Sequence, residues 1–196
     1  MNIPNQDIKT AILEAALPSI PFDGWALQVF ENAAMSCGYS KSMVMAVFPD
    51  GIKDAIKYFS HWADDQMMKA LKNVNPQNLR VRERVQECVK ARLHVLEQHK
   101  ETERLAVAYW MRPLRKYEGI KLVWKTADCI WQWAGDTSTD YNRYTKRGLL
   151  SAVITSTTFY WLNDESDGHQ DTVAFLERRI NNVMSIGKVA AKFKTA

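Results

Sequence analysis

WALQVFENAAMSCGYSKSMVMAVFPDG, residues 25–51, decides the fold. Trp25, Val29, Ala33 and Met35 recur at helical spacing, and Gly38 follows where a left-handed cap would end a helix. Ser40 can N-cap a second, shorter helix, SKSMVMAVF, which stops before Pro49-Asp50-Gly51. Helix, glycine turn, helix is the pattern of a helix-turn-helix, and the stretch from Ile52 to Leu71 predicts a longer helix to brace it. Upstream, Ile8, Ile12, Ala15 and Ala16 share one stripe of a first helix that Pro18 and Pro21 are expected to stop.

The charges on this segment decide whether it reads DNA. Residues 1–60 hold four bases against six acids, about −2, where phosphate contacts would require the opposite sign. The second helix offers only Lys41, with no Arg, Asn or Gln for a base edge, and Met43, Val44, Met45, Val47 and Phe48 suit apolar contact. No nucleic-acid partner is expected. Positive charge gathers instead between residues 80 and 125, where twelve bases face six acids, about +6. Such a run reads as a solvated helix surface with Glu and Lys/Arg pairs, or as a surface drawn to anionic lipid or an acidic partner.

The rest of the chain repeats the helical period. Val81, Val85, Val89 and Leu96 form an inner stripe, and an apolar run from Leu105 to Met111 ends before Pro113. In GIKLVWKTADCIWQWAG, residues 119–135, Ile120, Trp124, Ala127, Trp131 and Ala134 share one face, while Leu122, Cys129 and Trp133 lie roughly opposite. The next helix, starting near Ser138 or Thr139, is apolar or small on every side beyond Gly148 and is expected to be central. A last amphipathic helix, about 170–187, turns Val173, Leu176, Ile180, Val183 and Gly187 inward. With eight Gly, six Pro and 46% apolar residues in 196, the chain reads as all-α. We expect a helix-turn-helix-like segment over 1–60 and a helical bundle over 61–196, packed as one globular unit.

Little in the sequence proposes a reaction. His61, His94, His99 and His169 have no metal-ligand spacing, and Cys37, Cys88 and Cys129 are too scattered for a zinc site or a disulfide framework. Phosphate loops, a nucleophile elbow and a dinucleotide fingerprint are absent, so neither a metal, a cofactor nor an enzyme is expected. MNIPNQDIKT lacks the regions of a signal peptide, and no run approaches the roughly 18 apolar residues of a spanning helix. A cytoplasmic protein with peripheral membrane contact at most is the expectation. Seven each of Trp, Tyr and Phe and eight Met exceed the needs of a plain bundle. They suit either an aromatic-rich core or an apolar site for a flexible lipid. Asp136, Ser138, Thr139 and Asp140 have the composition of a helix N-terminus, which leaves Tyr141, Arg143 and Tyr144 in its first turns without a purpose.

WQWAGDTSTDYNRYTKRGLLSAV, residues 131–153, resembles the signature block of the ninth coenzyme Q biosynthesis protein family. FLERRINNVMSIGKVAAKFK, residues 175–194, and ILEAALPSIPFDGWALQVFENAAMSCGYS, residues 12–40, extend the likeness over nearly the whole chain. The resemblance implies the fold of TetR regulators without their DNA binding; a ligand-responsive TetR-type regulator is the alternative. It implies a non-catalytic accessory protein of ubiquinone synthesis, peripheral to the bacterial inner membrane, that presents an isoprenoid quinone precursor to demethoxyubiquinone hydroxylase. The hydroxylase-docking surface carried over would hold Asp128, Ile130, Trp131, Asp136, Asp140, Tyr141, Arg143, Tyr144 and Arg147. Lipid walls inferred from helix stripes are Met67, Met68, Leu71, Leu93, Tyr109, Trp110, Trp124, Trp131, Leu150, Ile154 and Phe159. A homodimer through the last two helices is expected. Position 143 is Arg where eukaryotic members commonly have Trp, and the tail KVAAKFKTA is short beside their additional membrane-seeking helix.

Overall fold

A computed structural model describes residues 5–139 and 141–194, with side chains as far as 183. Among the described residues every regular element is a helix. In order these are α1 (Asn5–Ala16), α2 (Ile20–Asp23), α3 (Leu27–Ser36), α4 (Ser42–Val47), α5 (Ile52–Ala70), α6 (Val81–Leu96), α7 (Lys100–Trp110), α8 (Lys116–Trp133), α9 (Tyr141–Leu162) and α10 (Gln170–Lys194). The chain divides into two compact units, each made of two pieces: Met1–Gln66 with Val95–Leu122, and Met67–His94 with Val123–Ala196. Residues 95–122 thus return to the N-terminal unit, which a boundary at residue 60 did not anticipate.

In the first unit the expected helix-turn-helix forms. Gly38, at φ +81°, closes α3 while the Tyr39 N–H donates to the Ala34 carbonyl at 2.9 Å, the wide turn that only a left-handed residue allows. As expected, α1 ends at Ala16, just before Pro18; Pro21 then opens the short helix α2, where a missing N–H costs nothing, and Gly24 at φ +72° ends it. Ser40 is not the cap of α4 either, since its hydroxyl pairs with that of Ser42 at 2.8 Å and α4 begins one residue after Lys41. Val44, Val47 and Phe48 are turned into the core, with Phe48 edge-on to Phe30 at 5.8 Å, and Lys41 is paired with Glu31 at 3.6 Å. The outward face of α4 is left with Ser42, Met45 and Ala46, and holds no Arg, Asn or Gln to read a base edge. Rings continue through Trp25, Phe59 and Trp62, whose indole N–H donates to Glu14 at 3.0 Å. At the α7–α8 connection, a Cβ on Gly119 would lie 2.9 Å from the Trp110 Cβ, so only glycine lets the two helices approach this closely.

In the second unit, α6 buries Val85, Cys88, Val89 and Leu93, while Val81, expected on that stripe, is exposed at the helix start. Burial pushes the Cys88 thiol up to about 12, which leaves it an inert apolar group. Helix α8 buries Leu122, Thr126, Ala127 and Ile130, with Ala134 buried just beyond its end; Ala127 and Ala134 were expected inward, whereas Leu122 was expected on the opposite side and Ile120 is exposed. Helix α9 is not buried all round: Leu150, Val153, Ile154, Thr157, Trp161 and Leu162 face inward, but Ala152, Thr155, Phe159 and Tyr160 form an exposed side. Its small residues Ala and Thr look apolar in sequence, yet they cost little in water. Helix α10 packs on α9 with Leu176 and Ile180 buried, and its backbone continues past 187 to Lys194.

The turn into α10 is fixed by one carboxylate. Asp164 accepts the Ser166 N–H at 2.8 Å, the Ser166 hydroxyl at 2.6 Å and the Thr172 N–H at 2.9 Å, together with the Thr172 hydroxyl. Burial alone would push its carboxyl up; these four hydrogen bonds outweigh that and hold it well below the usual carboxylate range.

Candidate functional site

The segment joining α8 to α9 is built around a buried guanidinium. Just past α8, Gly135 at φ +83° turns the chain so that the Asp136 N–H donates back to the Trp131 carbonyl at 2.9 Å, and Arg84 Nη1 donates to the Ala134 carbonyl at 2.8 Å. This closure aims Asp136 toward the first turns of α9. There Arg147 donates from Nη1 to Asp136 Oδ2 at 3.0 Å and to the Arg143 carbonyl at 3.2 Å, and from Nε to Asp128. Lys146 Nζ donates to the other Asp136 oxygen at 2.6 Å and to the Ser138 hydroxyl at 2.7 Å, and Ser138 itself donates to Asp136 at 2.8 Å.

Arg147 and Asp136 are almost completely covered, with side chains 4% and 3% exposed. A pair so dry is stable only if its remaining donors and acceptors are also engaged, and here three donor groups converge on one carboxylate. Burial would raise the Asp136 carboxyl; the hydrogen bonds of Lys146, Ser138 and Arg147 and the charge of Lys146 outweigh it and hold it at about 2. Trp131 completes the junction, its indole N–H donating to the Lys146 carbonyl at 3.1 Å and its ring facing the Lys146 ammonium at 5.5 Å.

Above this support the outer surface is aromatic and cationic. Tyr141 is 76% exposed and Tyr144 is 63% exposed, with the Tyr144 ring 6.3 Å from Trp124. Arg143 reaches Asp128 at 3.7 Å from an exposed position. The carried-over docking residues thus separate into two layers. Tyr141, Arg143, Tyr144 and the edge of Asp128 are available to a partner, whereas Ile130, Asp136 and Arg147 are buried and hold that surface in place. Asp140 lies outside the described residues. The sequence reading missed Lys146 and Ser138 as members of the network, because only the fold brings residues 136, 138 and 146 to one point.

The proposed lipid walls are scattered more widely. Met67, Leu71, Leu93, Leu150 and Ile154 are buried in the second unit, Met68 and Trp124 are half-buried there, and Phe159 is on the exposed side of α9. Trp131 belongs to the junction just described. Tyr109 and Trp110 are in the first unit, edge-on to each other at 4.9 Å, and Tyr109 lines an open cleft of about 520 Å³ with Trp25, Lys53, Leu105, Arg112 and Arg115. Among the described residues no group of three or more His, Cys, Asp or Glu is placed to hold a metal ion, and no helix is long and apolar enough to cross a membrane.

Residues 117–187 match the COQ9 family. The chain is 27% identical to "Ubiquinone biosynthesis protein COQ9, mitochondrial" of Homo sapiens, over 97% of this chain and 62% of the human one. It is 30% identical to the COQ9-A protein of Xenopus laevis, over 93% of this chain and 59% of that relative, and 28% identical to COQ9 of Drosophila melanogaster, over 91% and 56%. The chain therefore spans about three fifths of the length of these relatives. Its fold is that of the TetR transcriptional regulator from Nitrosomonas europaea ATCC 19718, with a TM-score of 0.72 at 18% identity over 91% of this chain and 98% of the other. At that identity the likeness concerns the fold alone.

Proposed function

We propose, from the likeness to the COQ9 family over residues 117–187 and to its members over nearly the whole chain, that this is a non-catalytic accessory protein of ubiquinone synthesis. It binds an isoprenoid lipid and presents a quinone precursor to demethoxyubiquinone hydroxylase at the bacterial inner membrane. The observation that carries this reading is the junction of α8 and α9: the block on which the family match centres folds into a rigid polar support under Tyr141, Arg143 and Tyr144. Exposed Tyr and Arg side chains grouped above a buried support have the composition of a protein-binding hot spot. Asp140 joins this surface by resemblance.

A homodimer through α9 and α10 accords with the exposed side of α9, where Ala152, Thr155 and Phe159 recur at helical spacing. The transcription-regulator alternative shares the fold, but the outward face of α4, with no Arg, Asn or Gln, and the acidic balance of residues 1–60 work against it.

Extraction of the natively purified protein with organic solvent, followed by mass spectrometry, tests the lipid role. The expected result is one dominant isoprenoid or quinone species near one per protomer. An extract holding only bulk phospholipid, after purification without detergent, would remove the carrier reading.

A further inference from the structure

The turn between α7 and α8 carries a feature that packing does not explain. Met111, Leu114, Tyr117 and Ile120 are 64%, 98%, 66% and 60% exposed, four large apolar side chains within ten residues. Exposure of that kind carries a hydration cost and marks a surface that is covered in use. The turn is well formed: Pro113 cannot continue α7, and the N–H groups of Arg115 and Lys116 both return to the Arg112 carbonyl, at 2.9 and 3.1 Å, which pushes Leu114 outward. The close approach of Gly119 to Trp110 and the Arg115 guanidinium lying 4.0 Å over the Tyr109 ring fix its base.

Charge identifies the occupant. Between residues 111 and 125 there are five bases, Arg112, Arg115, Lys116, Lys121 and Lys125, and one acid, Glu118, for about +4. Glu118 is held by Lys121 at 3.3 Å and faces Lys57 at 3.9 Å. No carboxylate among the described residues pairs with Arg112, Arg115 or Lys116. Elsewhere in the same basic region, Lys90 and Arg104 are neutralised by Glu87 and Glu101 on their own helices. Unpaired cations beside a protruding leucine and methionine match one environment, the interface of an anionic bilayer, where phosphates lie directly above an apolar layer. A nucleic acid offers the phosphates without an apolar layer for Leu114.

We propose that the α7–α8 turn is the membrane contact of the first unit, with Met111 and Leu114 entering the headgroup layer and Arg112, Arg115 and Lys116 meeting anionic phospholipid. This rests on the carrier reading for its purpose, because a protein that handles an isoprenoid lipid has to meet the bilayer that stores it. Flotation of the full chain with vesicles separates the two claims. Wild type is expected to float with vesicles of phosphatidylglycerol and phosphatidylcholine and to stay behind with phosphatidylcholine alone.

Met111→Ser with Leu114→Ser should lower the partition coefficient roughly tenfold or more. Arg112→Glu with Lys116→Glu should do the same and abolish the salt dependence. All four side chains point outward, so circular dichroism should match wild type, and Met35→Ser, at an exposed methionine of α3 away from the turn, serves as a variant with unchanged flotation. Variants that float like wild type, or a wild type that floats with neither vesicle, would overturn the assignment. So would variants that keep flotation but lose a protein partner, since the turn would then be a protein-docking surface. Loss of flotation by the variants alone, with a wild type that floats but yields no isoprenoid lipid on extraction, supports the turn while removing the carrier reading.

Discussion

Arg147→Ala is expected to lower the unfolding free energy by about 3–5 kcal/mol, because it strands two carboxylates that the guanidinium now joins. Asp136 would keep Lys146 and Ser138 but lose its buried partner, and Asp128 would lose a hydrogen bond that ties α8 to α9. Urea unfolding of the variant beside wild type measures the effect, and a loss under about 1 kcal/mol would mean that water reaches the pair in solution. The acid limb of stability follows from the same network. Asp136 is held at about 2 in the folded protein, below its unfolded value near 4. A depressed carboxylate contributes stability that is full above the unfolded value and is lost as pH falls through the folded one. Its share, about 2 kcal/mol, should therefore disappear between about pH 4 and pH 2. Asp164 shifts in the same direction and should steepen the decline.

Tyr144→Ala is expected to reduce hydroxylase binding by about thirtyfold or more, the cost of removing an aromatic hot spot of about 2 kcal/mol, while leaving the fold and bound lipid in place. Tyr144 is 63% exposed, so the change removes little core area, although its packing against Trp124 is lost. Surface plasmon resonance against the immobilised hydroxylase gives the comparison. An affinity equal to wild type would withdraw the docking role from the first turns of α9. Tyr144→Phe keeps the ring and should retain most of the binding, which distinguishes an aromatic anchor from a hydroxyl contact.

Much of the architecture was legible because its signals are local. Gly38 between two apolar-periodic stretches announces a helix-turn-helix, and the acidic balance around it argues against DNA without any coordinates. Pro18 and Pro21 correctly marked the end of α1, but a four-residue helix has too short a period to show in sequence, so α2, which Pro21 opens, was not legible. Helix α9 was read as central because Ala152 and Thr155 are compatible with both core and surface.

The site was harder to read for a physical reason. An aspartate just before a helix looks the same whether it caps N–H groups or binds cations ten and eleven residues later, and Asp136 binds Lys146 and Arg147. An arginine in a polar stretch reads as surface, so the burial of Arg147 becomes apparent only when Asp128 and Asp136 meet it from two directions. The basic run from 80 to 125 was counted as one object, whereas the fold neutralises part of it and leaves Arg112, Arg115 and Lys116 beside Leu114.

The proposed role of this chain in the hydroxylation of demethoxyubiquinone is tested most directly by the quinone profile of cells from which it has been deleted. Liquid chromatography with mass spectrometry should show demethoxyubiquinone accumulating at the expense of ubiquinone, with the ratio restored by the wild-type chain and not by Tyr144→Ala. An unchanged ratio in the deleted cells, with the hydroxylase still present, would contradict the account.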